Sequence, residues 1–428
     1  MTRPMRMIVI AVRVHNMNTA RLTSPWRLAT VGAVGLLVAG CSSPADDASG
    51  SAPGSSAAAS AESVAAPQPR ITLTYDGGLL VLDADTLEVV GDHALDGFLR
   101  VNAAGDGRHS LVTTEEGFQV LDAGVWTDGG QSWAGPSALT DDVFAADTAG
   151  HVVVHGDRTV LFADGTGDIT SFTTADLLTA DGLPETREWT SEAAHHGVAI
   201  ELEDGTLLST LGDEEGRTGV RVLDADGQET ARNEQCPGVH GEGTVAGDVA
   251  VFGCEDGILI YDGEFTKLTA PDTYGRTGNI FTTEDSPVAV GDYNDDPDAE
   301  GYELTRVALV DTTTDQLTVV PLPDGVAYTF RDLARGPQDE AVVLGTDGAL
   351  HLIDEQTGQL TASYPVIDAW EGPAEWQDPH PALKVHDGIA YVTDPAADAV
   401  HAVDLATGEV LATGDLGVTP VEIAVVTG

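Results

Sequence analysis

Positive charge is what this 428-residue chain has least of. It carries 19 Lys and Arg against 70 Asp and Glu, a formal net charge of −51. Only two lysines occur, Lys267 and Lys384. Such a surface repels phosphate backbones, which excludes nucleic acid as a partner, and it resists docking on anionic lipid. A solvated acidic shell keeps a protein soluble, and it also gathers cations. Aromatic residues make up only 5% of the chain. Convincing helical periodicity is absent. So are a Gly-x-Ser-x-Gly elbow, a phosphate-binding loop and a His-Glu-x-x-His motif, so no motif speaks for an enzyme.

The N-terminal region is the exception to the acidic rule. Its first 40 residues hold five Arg and no acid. Arg27 precedes an apolar run from Leu28 to Gly40, which ends in Leu37-Val38-Ala39-Gly40-Cys41. Thirteen residues are too few to span ~30 Å of hydrocarbon. A charged start, a short apolar stretch and small residues before the cut make a secretory signal. A Cys directly after Ala-Gly makes it the lipoprotein kind, with Cys41 lipidated and the rest of the chain outside the cell. The expected division is a signal peptide over 1–40, a flexible tether over 41–69 and one domain over 70–428. The tether is Ala, Ser, Gly and Pro with scattered acids, which bury no core. The lipid on Cys41 is then the one membrane attachment.

Cysteine is nearly as scarce as lysine, with three in all. Cys236 and Cys254 are left once Cys41 takes the lipid. In an oxidising compartment they read as a disulfide. The alternative is a pair of soft metal ligands, but no cation flanks them to lower a thiol pKa.

Alternating strands broken by Asp-Gly turns fill the rest. Ile71–Tyr75 runs into Asp76-Gly77, and Val198–Leu202 runs toward Asp204-Gly205. Such dipeptides between apolar alternations signal hairpins. The pattern repeats every ~30–45 residues, the period of a propeller blade. It is visible around residues 79–83, 118–122, 159–164, 206–210, 258–262, 307–311, 349–354 and 400–404. The expected fold is therefore an all-β propeller of eight blades. Seven is the alternative, because the fourth and sixth units are long. The first unit lacks an innermost strand and Val421–Thr427 ends the chain without a hairpin, so the last strand is expected to close the ring.

Histidines recur at the turn beside the expected innermost strands, at His109, His151, His195-His196, His240 and His386. Residues there ring one mouth of a propeller channel, where imidazoles from different blades converge on zinc or a similar metal. Glu242 and Glu192 are the acids nearby. His151 and His155 do not form a pair, since residues four apart on a strand lie ~13 Å apart. His195 and His196 face opposite ways, so one of them looks into the channel. Asp292 to Glu303 echoes a calcium loop, but Pro297 stands where that loop needs Gly.

Several segments, taken in order, resemble the AztD-type zinc metallochaperones. They are Leu121-Asp122-Ala123-Gly124-Val125-Trp126, Leu161–Gly167, His195–Ala199, Gly291-Asp292-Tyr293 and Tyr391–Pro395. The most specific are Cys236-Pro237-Gly238-Val239-His240-Gly241-Glu242 and Phe252-Gly253-Cys254-Glu255-Asp256-Gly257. The resemblance runs from about Ile71 to the end. It implies an exported β-propeller that passes zinc to the substrate-binding protein of a zinc ABC importer, and it supports a Cys236–Cys254 bridge. The metal residues expected from it are His109, His151, His196 and His240, with Glu242 behind them; His386 has no counterpart. It also implies a His- and Asp-rich loop after Gly-Val-Trp and a His-rich N-terminal segment. Here Thr127–Pro136 contains no His, and neither does Cys41–Pro69. The expected function is a lipid-anchored, monomeric, non-enzymatic zinc carrier. The alternatives are a metal-free cell-surface scaffold for other proteins and a secreted propeller with a small ligand in its channel.

Overall fold

Asp-Gly turns do cut the chain into short strands. Gly77 at φ +107° and Gly205 at φ +85° take a backbone conformation that side chains with a Cβ avoid. A computed structural model describes residues 61–180, 182–298 and 302–428. The expected signal segment, Cys41 and most of the expected tether lie outside the described residues.

The described residues form eight four-stranded antiparallel sheets, one three-stranded sheet and a single helical turn, Asp176–Thr179. The all-β expectation therefore holds. The first sheet draws on both chain ends, because Pro420–Val426 pairs with Arg70–Tyr75, Arg70 lying opposite Val426 and Leu73 opposite Ile423. The first strands of the third, fourth and fifth sheets are Ala149–His155, Ala199–Glu201 and His240–Val245.

Burial within a sheet follows strand position. Gly78–Asp83 is buried along nearly its whole length, as a strand covered on both faces must be. The outermost strands Val89–Ala94, Leu360–Pro365 and Val410–Asp415 are mostly exposed or half-buried. Seven buried clusters each join two sheets that follow one another in chain order, and an eighth joins the last of these sheets to the first. Phe162 meets Ala199 and Leu207 between the third and fourth, and Ile200 meets Phe252 between the fourth and fifth. The eighth sheet meets the first through Val400, Ile71 and Ile423. Each large side chain buried in this way stabilises by about 1.5–3 kcal/mol.

Part of the segment read as tether is structured. Glu62–Val64 pairs with Gln131–Ala134, which pairs with Val125–Asp128 to complete the three-stranded sheet. The stretch without histidine after Gly-Val-Trp is thus a hairpin, with Trp126 and Trp133 stacked at 6.1 Å and the Arg108 guanidinium 4.1 Å from the Trp126 ring. Among the described residues, no helix is long and apolar enough to cross a membrane.

Candidate metal centre

Three imidazoles from three successive sheets meet in one cavity of about 640 Å³. His151 comes from the first strand of the third sheet, His196 from the segment leading into Ala199–Glu201, and His240 opens the first strand of the fifth. Their ring centres lie 4.9–5.0 Å apart. One nitrogen from each falls within 4.8 Å of the others. His196 Nε2 is 2.9 Å from His240 Nε2 and 3.4 Å from His151 Nε2.

Local sequence explains how the rings come together. Against the strand Arg158–Ala163, the register slips between Ala149 and Val152, and this bulge sets the direction of His151. A Cβ on Gly150 would lie 2.2 Å from Asp164 Oδ1, so only glycine there lets Asp164 reach across to His196. A second slip separates His240 from Glu242. Gly241 sits in it at φ +68°, where a Cβ would meet the Gly278 carbonyl at 2.8 Å. That close approach brings the Gly278 oxygen to the His240 ring.

Each ring is held from behind by an acceptor. Nδ1–H of His196 donates to Asp164 Oδ2 at 2.5 Å, and Asp164 Oδ1 also accepts from the Gly197 amide at 3.3 Å. Nδ1–H of His151 donates to Glu242 Oε1 at 3.4 Å. Nδ1–H of His240 donates to the Gly278 carbonyl. With the proton on Nδ1, a neutral imidazole presents its lone pair at Nε2. Three lone pairs then face one another, an arrangement that repels unless a cation sits among them. Burial drives His240 well below the ordinary imidazole range, helped by the neighbouring His151 and His196, and so keeps it neutral. A tetrahedral zinc with Zn–N of ~2.0–2.1 Å separates its nitrogens by ~3.3 Å, close to the spacing here. The donor set, its Nδ1 partners and its open fourth side fit such an ion.

His109, expected beside these residues, is not brought to them. It opens the second strand of its sheet, His109–Thr114, and is pinned to Asp106 at 2.5 Å. Glu192 faces outward and pairs with Arg232 at 2.7 Å. His386 closes its strand, Leu383–His386, rather than opening it. His195 turns away, held by the Ala193 carbonyl and Thr210 at 2.9 Å each, and His155 pairs with Asp248 at 2.6 Å. Asp292 accepts from the Gly278 backbone amide and the Asn279 side-chain amide, Asp295 pairs with Arg306 at 3.0 Å, and Glu303 accepts from the Gly372 amide, so these acids of the calcium-like stretch each have another partner. Asp164 was not singled out in the sequence, because its Ala163-Asp164-Gly165 turn looks like many others in the chain. Cys236 and Cys254 form a disulfide, both fully buried, with Cα atoms 4.9 Å apart.

Another buried histidine gives the fold an acid-sensitive point. Burial and the nearby Arg331 lower His380 to about 4 from 6.5. Between those values the unfolded chain takes up a proton that the folded chain refuses, so stability falls as pH falls from 6.5 to about 4. Asp332, raised to about 8 by complete burial, contributes with the opposite sign. The difference between wild type and His380→Leu isolates the histidine. The drop in melting temperature from pH 6.5 to 4 is expected to be smaller in the variant, and an identical drop would remove His380 as its source.

Fold and site together define a class: an all-β protein of four-stranded sheets that gathers three histidines into a metal-ligand arrangement. The chain is 28% identical to the zinc chaperone AztD of Citrobacter koseri over 226 residues, 50% of this chain and 50% of that protein. The match thus spans about half the length of the curated relative. A crystal structure of Citrobacter koseri AztD superposes with a TM-score of 0.72 at 22% identity, covering 85% of this chain and 99% of that one. The apo form of AztD superposes at 0.73 and 21% identity, with 85% and 98% covered. No protein-family model matches the chain. The resemblance to AztD-type proteins read from the sequence is thus supported by a curated relative, and the fold by the superposed structures.

Proposed function

We propose that this protein is an extracytoplasmic zinc chaperone, anchored by the lipid on Cys41 and acting as a monomer. It carries one zinc ion on His151, His196 and His240 and hands it to the substrate-binding protein of a zinc ABC importer. In this reading residues 1–40 are the export signal, the eight sheets are blades around one channel, and the strand Pro420–Val426 closes the ring. Asp164, Glu242 and the Gly278 carbonyl fix the tautomers that point each Nε2 inward.

The observation that carries the reading is the convergence of three Nε2 lone pairs, each with its Nδ1 proton already committed. The name of the curated relative points the same way. His196 is the most exposed of the three, with 45% of its side chain accessible, and it is the ligand an incoming partner reaches first. Exchange through shared ligands then releases the other two in turn.

Metal analysis and zinc titration of the chelator-stripped protein test this. One zinc per chain, bound tightly and insensitive to added salt, is the expected result. Salt-sensitive uptake of several ions per chain would trace binding to the acidic surface and favour the scaffold reading instead.

A further inference from the structure

The chain's scarcest charge collects in its cavity. Five of its 19 basic residues line that space, with only four of its 70 acidic ones. Three of the five, Arg100, Arg331 and Lys384, are grouped on or beside the first strands of the second, seventh and eighth sheets, away from the three that supply the imidazoles. The two arginines share one carboxylate, Glu422. Arg100 Nε and Arg331 Nη2 both donate to its Oε1, each at 3.0 Å, and the Val101 amide reaches Oε2 at 3.4 Å. Aromatic rings support both guanidiniums, Trp376 5.6 Å from Arg100 and Phe330 5.3 Å from Arg331.

Lys384 has no such company. Among the described residues its side chain makes no ion pair and no hydrogen bond, whereas the other lysine, Lys267, pairs with Asp256 at 2.5 Å. Its side chain is exposed at the cavity wall, close to Arg100 and the Glu422 carboxylate. Asp332, next to Arg331, does not offset the group, because it is fully buried and spent on Thr329. Three cations therefore stand around one carboxylate on this side of the cavity. An anion that reaches the cavity finds there an ammonium and two guanidiniums that share a single acceptor.

We propose that Arg100, Arg331 and Lys384 form a binding site for a small dianionic oxyanion, a dicarboxylate or hydrogen phosphate, in the same cavity as the three histidines. The excess of two positive charges sets the charge of the ligand. Guanidinium forks and an ammonium are the groups that bind carboxylate and phosphate. A cavity of this size admits either. The site needs no metal at the histidines and stands independently of the zinc reading.

Calorimetric titration of the chelator-stripped protein with succinate and, separately, with inorganic phosphate at low ionic strength tests it. One saturable site is expected for at least one probe, and the tighter of the two identifies the ligand class. Lys384→Met is expected to weaken that binding by about tenfold or more. Lys384→Arg should retain it, and Lys267→Met should leave it unchanged. No saturable heat with either probe, or equal affinity in a folded Lys384→Met protein, would overturn the proposal.

Discussion

Replacing His196 and His240 together with Ala is expected to abolish tight zinc binding while the sheets stay folded. The double variant leaves His151 as a lone imidazole, and one nitrogen does not hold zinc against a competing chelator. A loss of about a thousandfold or more is expected, since the bound ion's free energy is spread over its ligands. The fold should survive because both rings project into the cavity rather than into the shared clusters, and neither is among the core residues. Asp164 keeps its bond to the Gly197 amide when His196 is gone. A graded response is the sharper check. Asp164→Asn leaves every ligand in place but weakens the acceptor behind His196, so it should cost only about 10–100-fold. Competition against a chromophoric chelator measures both variants. Unchanged affinity in the double variant would move the metal off these histidines.

Removing the disulfide with Cys236→Ala and Cys254→Ala is expected to act on stability and on the site at once. The bridge closes a loop with a sequence separation of 18, and releasing a loop of that length costs about 3 kcal/mol. The two cysteines sit in the cluster that joins the fourth and fifth sheets, beside Val239 and Phe252. Cys254 ends the strand that pairs with His240–Val245, and His240 lies opposite Gly253. The bridge therefore ties the turn that delivers His240 to the strand beside it. The melting temperature should fall by several degrees, and the folded variant should bind zinc more weakly than wild type. Calorimetry and titration below the transition separate the two effects. If affinity is untouched while stability falls, the bridge serves the fold alone.

Much of the fold was written locally. Asp-Gly turns and two-residue alternation mark a strand wherever they occur, so the all-β architecture and the recurring unit could be read directly. The unit's markers were less uniform than they looked. Residues 118–122 fall in the third strand of their sheet, but residues 159–164 fall in the second of theirs, because the turn signal is the same on either side of a hairpin. The site was legible for the histidines that lie at the start of first strands. His109 failed because the Asp106-Gly107-Arg108 turn joins the first strand to the second, and nothing in the sequence says which strand a turn precedes. The acceptors were the least legible part. Asp164 arrives from the neighbouring sheet across Gly150, and the Gly278 carbonyl is backbone. Both depend on bulges whose positions are set by packing rather than by composition.

The pairing of Pro420–Val426 with Arg70–Tyr75 also fixes when the molecule can be finished. Two neighbouring strands of one sheet are separated in sequence by 348 residues at the Thr74–Glu422 contact, so the first sheet lacks a member until Val426 has left the ribosome. Sheets two to eight are local hairpins that form from contiguous sequence, whereas this one waits for the longest-range contact in the chain, the kind that slows folding. Until it forms, Arg70–Tyr75 presents an open edge, and a nascent or truncated chain carries a sticky intermediate that the complete protein hides. Pro420–Val426 thus decides whether the first sheet is completed, although it supplies none of the three histidines.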